Sequence, residues 1–301
     1  MIAEWYLLEG PLKRPGLPRA KSDSLQHQVS GWGMARDLRG KRILLTGASM
    51  GIGRELARIL GSKGAKLALV ARSVDKLNEA AEEVRKAGGE AVVIPGDLAD
   101  SNTPKRILAE AANALGGLDI LLNNAGVGTW AHFSDGTEEH LRSVFEVNFF
   151  STSELMRLSV KHLIRGNQPA ILNIASMTGR RGMPGFSEYS ASKHALVGLT
   201  EALRAEYHRF GISVLLVLPG LTNSEFFNNV LEKKGKADLP MDKALSPAQT
   251  AAAVVKALEK DTRETWLGGE ARMILWMNRF MPRWLDAKIG TKVAKLWGKP
   301  A

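Results

Sequence analysis

Six short runs rich in Ile, Leu, Val and Ala recur between residue 41 and about residue 218, each separated from the next by a longer stretch. They lie at 42–46, 66–71, 91–95, 118–122, 170–174 and 212–218. None alternates strictly between apolar and polar, so they read as strands buried on both faces of a parallel sheet. Parallel neighbours cannot be joined by a tight hairpin and need a crossover. The stretches at about 52–63, 75–87, 103–115, 137–164 and 188–210 have the length and apolar period of helices that would supply it. The expectation is therefore an α/β fold: a single Rossmann-type doubly wound parallel sheet, with right-handed crossovers and helices on both faces.

The 301 residues suit one large α/β domain or two small ones. With no cysteine, disulfides, thiolate nucleophiles and cysteine metal sites are excluded, and the six histidines show no ligand spacing; no metal is expected. His162, His194 and His208 are read as lying on helix surfaces. No run of eighteen apolar residues suggests a spanning helix. The N-terminus has an early acid, Glu4, then Gly10, Pro11, Pro15 and Pro18, and lacks the form of a signal peptide. A cytoplasmic location is expected. Residues 1–38 carry no sustained periodicity and read as a poorly ordered extension. Because Met34 leads directly into the first strand, translation starting there is one expectation for the native chain. Residues 39–268 form the expected α/β domain, followed by a basic amphipathic tail at 269–301.

The loop Thr46-Gly47-Ala48-Ser49-Met50-Gly51-Ile52-Gly53 follows the first strand and opens the first helix. Gly47 permits a tight turn, Gly51 lets backbone approach a pyrophosphate, and Gly53 allows close helix–strand packing. The helix N-terminus beyond favours the anion. Glycines at such turns can also be purely structural; placement between strand and helix favours the nucleotide. An NAD site usually carries Asp or Glu at the end of the second strand. Here that end reads Ala71-Arg72-Ser73. Arg72 could pair with a 2′-phosphate, with Arg54 as a second candidate, so NADP(H) is expected over NAD(H). The bland alternative is an arginine solvating a strand end.

Tyr189 and Lys193 are four apart, on one face of a helix. A free phenol titrates near 10, and an adjacent ammonium or an oxidised nicotinamide would lower that value. A Tyr-x-x-x-Lys pair alone is weak evidence. Ser176, at the carboxyl end of the fifth strand, sits where open α/β sheets place ligands and could stabilise a developing oxyanion. Asn148, in the long middle helix, could anchor a water in a relay towards Lys193.

At this point the sequence resembles the short-chain dehydrogenase/reductase family, over about residues 39–268. Thr46, Gly47, Ser49, Met50, Gly51, Ile52 and Gly53 match its glycine loop; Asp97 and Leu98 match the acid segment beside the adenine. Asn123-Asn124-Ala125-Gly126 matches the motif closing the fourth strand, and Pro219-Gly220 the dipeptide beside the nicotinamide. Asn148, Ser176, Tyr189 and Lys193 match the catalytic four. Two departures stand out. Ser224, two residues beyond Thr222, replaces a common Thr, and Met50 occupies a position often basic in one NADP-preferring branch. The resemblance implies hydride transfer from NADPH to a carbonyl carbon while Tyr189 gives its oxygen a proton. Ser176 would polarise that oxygen, and Lys193 would bind the nicotinamide ribose and keep Tyr189 acidic. Relatives often pair through the helices equivalent to 137–164 and 188–210, so a homo-oligomer is expected.

Residues 221–246 include Phe226, Phe227, Val230 and Leu231 before a charged run at 232–236. They read either as a substrate lid or as ordinary packing. His132, Phe133 and Met183 are candidates for the same pocket. The net charge of +10 concentrates in the tail, where residues 266–301 hold seven Lys/Arg against two Asp/Glu. Pro282 should interrupt or begin a helix. Beyond it, Leu285, Ile289, Val293 and Leu296 form one stripe, while Lys288, Lys292, Lys295 and Lys299 form its neighbour. Such a helix suits a membrane surface, or packs on protein with its lysines solvated. The expected function is reduction of a lipophilic ketone or aldehyde (3-oxoacyl, steroid or retinoid-like). The alternatives are a soluble 3-oxoacyl-carrier-protein reductase or polar alcohol/sugar dehydrogenase, and a non-catalytic NADP-sensing module. No nucleic-acid role is expected, because the charge lies in a tail without a recognisable binding fold.

Overall fold

The structure, a computed structural model, describes residues 35–228, 230–232, 234 and 241–297, the side chains of Phe227, Asn228, Leu296 and Trp297 aside. The proposed start at Met34, nearly all of the N-terminal extension, half of the charged run at 232–236 and Lys299 fall outside these residues. Seven strands are present: β1 (Arg42–Thr46), β2 (Lys66–Ala71), β3 (Glu90–Pro95), β4 (Ile120–Asn123), β5 (Ala170–Ile174), β6 (Ser213–Pro219) and β7 (Glu264–Leu267). They form one sheet in the order β3-β2-β1-β4-β5-β6-β7, every pair parallel. The order reverses direction between β1 and β4, which is where open α/β sheets place their ligands.

The helices are α1 (Gly51–Ser62), α2 (Val74–Lys86), α3 (Thr103–Ala114), α4 (Glu138–Phe145), α5 (Ser151–Leu163), α6 (Ser187–His208), α7 (Pro247–Glu259), α8 (Gly269–Phe280) and α9 (Pro282–Trp297). Local sequence explains several starts. Ser73 accepts from the Lys76 amide to cap α2, which has Asp75 in its first turn and Arg85 and Lys86 in its last. Ser246 and Gln249 form a reciprocal capping box before α7, with Pro247 just inside.

Alternate strand residues feed two separate cores, one on each sheet face. Ile43, Leu45, Leu67, Leu69, Ile120 and Leu122 face α1, α2 and α7, against Leu56, Leu77 and Val254. Leu44, Ala68, Val70, Leu121 and Ile171 face α3, α5 and α6, against Ile107, Leu155 and Leu196. Burial on both faces explains why the strands lack alternation.

Three expectations need revision. Arg36 and Leu38, assigned to the extension, are buried, and Arg36 pairs with Asp261 at 2.8 Å and donates to the Gln168 carbonyl at 3.0 Å. The 137–164 helix is not uniform: α4 passes through a π turn at Glu146–Phe150 before α5 begins. A seventh strand, β7, extends the sheet at its edge; of its four residues only Leu267 is buried, so they give no strong apolar run.

Candidate active site

A cavity of about 660 Å³ runs along the carboxyl ends of the strands. Of the sequence-predicted residues, Gly47, Ser49, Met50, Gly51, Ile52, Gly53, Arg72, Asp97, Leu98, Asn124, Ala125, Gly126, Ser176, Tyr189, Lys193, Pro219, Gly220, Thr222 and Ser224 line it. Thr46 and Asn148 are buried behind its wall.

The glycine loop is held from behind by the segment after β4. Thr46 Oγ1 accepts from the amides of Asn124 and Ala125, both at 3.1 Å. Asn124 Nδ2 donates to the carbonyls of Thr46 and Gly47 at 3.1 and 3.0 Å. Two glycines are required by this contact. Gly47 has φ +68°, and a Cβ on Gly53 would lie 1.9 Å from the Gly47 carbonyl oxygen. The turn thus delivers the N-terminus of α1 into the cavity, where an anionic group is favoured. Ser224 faces it from across the cavity: its Cβ would be 3.4 Å from a Cβ on Gly51.

The two candidate phosphate arginines behave differently. Arg54 is committed to α2, bonding Glu83 through Nε and an NH2 group and Glu79 at 2.9 Å. It is therefore withdrawn as a cofactor ligand. Arg72 is exposed at the end of β2 and lines the cavity. Asp97 uses Oδ1 to accept from the Ala99 amide at 3.0 Å, closing its own turn.

Ser176, Tyr189 and Lys193 converge at the end of β5. Ser176 is in extended backbone and accepts from the Thr178 amide at 3.1 Å, which fixes its hydroxyl. Lys193 is buried, donates to the Ile174 carbonyl at 3.1 Å, and lies 5.6 Å from the Tyr189 ring centroid. Burial pushes the Lys193 ammonium down to about 8. It pushes the Tyr189 phenol up to about 12, with the hydrogen bond from Ser176 opposing. The expectation is that the adjacent ammonium and an oxidised nicotinamide lower the phenol; in the ligand-free protein desolvation sets the direction instead. In the ligand-free protein the phenol is protonated at neutral pH, as an ordinary tyrosine is.

Asn148 sits in the π turn, a distortion often found at functional positions. Its Oδ1 accepts from the Val127 amide, while Nδ2 donates to the Val127 carbonyl and to Ser192 Oγ, at 2.8, 2.8 and 2.9 Å. Both side-chain donors are thus used in tying the loop after β4 to α6. The side-chain NH2 is fully used in positioning, and a water anchored for a relay towards Lys193 would use another atom of this residue.

Among the lining residues Trp130 and Phe186 had no sequence signal, whereas Phe226 was a lid candidate. Trp130 and Phe186 pack edge to face at 4.3 Å, and Phe226 lies 5.3 Å from the Tyr189 ring. Leu231 and Met183 also line the cavity, but His132 and Phe133 are exposed and do not. Leu231 and Glu232 are hydrogen bonded alongside 128–130, Leu231 donating to the Gly128 carbonyl and Trp130 to the Glu232 carbonyl, each at 2.8 Å. Less expected still, the tail contributes Ile274, Ile289, Lys292 and Val293.

The family model described as short chain dehydrogenase matches residues 41–235. The chain is 33% identical to "Ketoacyl reductase HetN" of Nostoc sp. over 75% of this chain and 78% of that protein. It is 36% identical to "11-beta-hydroxysteroid dehydrogenase-like 2" of Arabidopsis thaliana, over 69% of this chain and 67% of the relative. Among solved structures, a short chain dehydrogenase from Burkholderia cenocepacia in complex with NADP superposes with TM-score 0.71 at 28% identity, covering 79% of this chain and all of that one.

Proposed function

The chain belongs to the short-chain dehydrogenase/reductase family of nicotinamide-dependent oxidoreductases, and we propose that it reduces a lipophilic ketone or aldehyde with NADPH, using Tyr189 as proton donor. The observation that carries this reading is the convergence of Ser176, Tyr189 and Lys193 in the same cavity as the glycine loop. The residues suit a dinucleotide. A Cβ at Gly47 or Gly53 would fill the cradle at the start of α1, and Ser224 stands opposite. Arg72, with no carboxylate beside it at the end of β2, favours a 2′-phosphate and so NADP(H). The Burkholderia relative in complex with NADP lends this support. The bound dihydronicotinamide supplies the hydride.

The chain's own groups do the rest. Tyr189, protonated at neutral pH, donates its proton to the carbonyl oxygen as charge develops. Ser176, already orientated by the Thr178 amide, donates to the same oxygen. Lys193, anchored on the Ile174 carbonyl, holds a positive charge beside the phenol and would contact the ribose of a bound cofactor. Asn148 and Ser192 keep α6 in register with the loop after β4. The reverse sequence oxidises an alcohol.

An apolar substrate is supported by Trp130, Phe186, Phe226, Leu231, Ile274 and Val293 in the lining. Phe226 and Leu231 support a lid role for 221–246. The relatives carry names from two substrate classes, ketoacyl and hydroxysteroid, so a soluble 3-oxoacyl reductase is the second reading. A homo-oligomer through α4, α5 and α6 is part of the proposal, supported by the exposed Phe150 in a cluster with Phe145 and Phe149. Action at a membrane surface is supported by the basic tail; no helix among the described residues is long and apolar enough to cross a membrane. The test is NADPH and NADH oxidation against a panel of steroid, retinoid, 3-oxoacyl and sugar carbonyls. Preferred turnover of apolar carbonyls with NADPH is expected; turnover confined to sugars or to NADH contradicts it.

A further inference from the structure

The tail helices α8 and α9 form a hairpin with two different faces. Its inner face belongs to the catalytic cavity: Ile274, Ile289 and Val293 line it, and Leu275 and Leu285 are buried beside them. The hairpin is fastened next to the site. Arg181, just beyond Ser176, donates to Asn278 at 3.1 Å and pairs with Asp286 at 2.5 Å, while Asn278 donates to the Arg180 carbonyl. The stripe of Leu285, Ile289 and Val293 that the sequence offered to a membrane is thus turned towards protein instead.

The outer face is what remains exposed. Met273, Trp276, Phe280, Met281 and Trp284, all within twelve residues, account for five of the eleven exposed large apolar side chains among the described residues. Trp276, Phe280 and Trp284 are 55%, 61% and 49% exposed. Trp276 and Phe280 meet at 5.3 Å with their rings tilted by 46°, and with the exposed Met273, Met281 and Trp284 close by in the chain they make up a ridge. Cations flank it, with Arg279 6.0 Å from the Phe280 ring and Lys288 5.5 Å from the Trp284 ring. The hairpin's two acids are both engaged, Asp286 by Arg181 and Glu270 by Lys243 at 3.0 Å.

An exposed aromatic patch of this kind marks an interaction surface. Charge decides which partner fits. A second copy of the same ridge would bring Arg279, Arg283 and Lys288 against like charges, whereas an anionic lipid surface complements them. Tryptophan and phenylalanine with flanking Lys and Arg are the residue types that settle at the headgroup boundary. We infer that the ridge Met273-Trp276-Phe280-Met281-Trp284 beds into an anionic phospholipid bilayer, so that the cavity walled by the opposite face of the same hairpin is filled from the membrane. This rests on the lipophilic-substrate reading above and names where that substrate comes from.

The test uses the full chain and phosphatidylcholine vesicles with and without phosphatidylglycerol. The wild type is expected to co-sediment with the anionic vesicles, less so at high salt. The triple variant Trp276→Ser, Phe280→Ser, Trp284→Ser should bind at least about tenfold more weakly, as expected for removing three buried aromatic anchors. It should keep wild-type turnover of a water-soluble carbonyl, because none of the three residues lines the cavity. Tryptophan fluorescence of the wild type should shift to the blue on vesicle addition, a readout independent of how the variant folds. Failure of the wild type to sediment with either vesicle overturns the inference, as does equal binding by the variant. A wild-type oligomer that the variant dissolves, without lipid binding, assigns the ridge to a second copy and also overturns it. The sedimentation arm needs no turnover, so its failure is distinct from failure of the reductase reading.

Discussion

Replacing Lys193 with methionine should make the ligand-free protein more stable while destroying its activity. The Lys193 ammonium is nearly fully buried and is pushed from its ordinary 10.5 down to about 8 by desolvation. At about 1.36 kcal/mol per unit, holding that charge inside costs the fold roughly 3 kcal/mol at pH 7. Methionine fills the space of the lysine stem, one atom shorter, and carries no charge, but it leaves the Ile174 carbonyl without its donor, a loss of about 1 kcal/mol. The net gain is about 2 kcal/mol, or roughly 4–8 °C in Tm for a domain of this size. The pH dependence carries the sign. Between about 8 and 10.5 the unfolded wild type binds a proton that the folded protein has released, so wild-type stability rises with pH across that window. The variant lacks that rise, and its advantage should shrink towards zero as the pH approaches 10. Thermal denaturation of both proteins from pH 6 to pH 10 measures this directly. A variant that melts below the wild type at pH 7, or a gap that does not change with pH, would refute the argument from desolvation.

Other consequences follow from the same geometry. Arg72→Glu should raise the KM for NADPH by at least about tenfold, since a charge-assisted contact worth ~1.5–3 kcal/mol is replaced by repulsion, and leave the KM for NADH little changed. Arg54→Gln should leave the NADPH/NADH ratio unaltered, because Arg54 is spent on Glu79 and Glu83; steady-state kinetics with both cofactors checks the pair. Gly53→Ala places a methyl 1.9 Å from the Gly47 oxygen and should abolish cofactor binding by fluorescence titration or prevent folding. Asn148→Leu removes three hydrogen bonds of a buried side chain and should cost about 2–4 kcal/mol in urea unfolding; unchanged stability would show that the clamp is not rigid.

Much of the architecture was legible because burial on both sheet faces writes unbroken Ile/Leu/Val runs into the chain. β1, β2 and β5 match the expected residues, whereas β4 begins later than expected, at Ile120. β7 was not legible. Glu264-Thr265-Trp266-Leu267 lies at the sheet edge, where only Leu267 is buried, so nothing distinguishes it from a loop. The π turn was hidden for another reason. It alters hydrogen-bond register inside a helix while leaving the apolar period nearly intact. In the site, spacing located Ser176, Tyr189 and Lys193, but spacing cannot report desolvation, and so the direction of the Tyr189 shift was missed. Arg54 and Arg72 look alike in sequence; only the positions of Glu79 and Glu83 on α2 separate them. The tail illustrates the same limit. Its apolar stripe and its aromatic ridge are both visible in the chain, and which one faces protein depends on Arg181, nearly a hundred residues from Asn278.

The central claim is direct hydride transfer to a carbonyl with Tyr189 supplying the proton. Its most direct measurement is mass spectrometry of the alcohol formed from an apolar ketone with NADPH carrying deuterium at both C4 positions of the nicotinamide, using wild type and Tyr189→Phe. The account predicts one deuterium on the carbinol carbon with the wild type, and a Tyr189→Phe variant that still binds NADPH but forms no alcohol. Product without deuterium, or undiminished turnover by Tyr189→Phe, would contradict it.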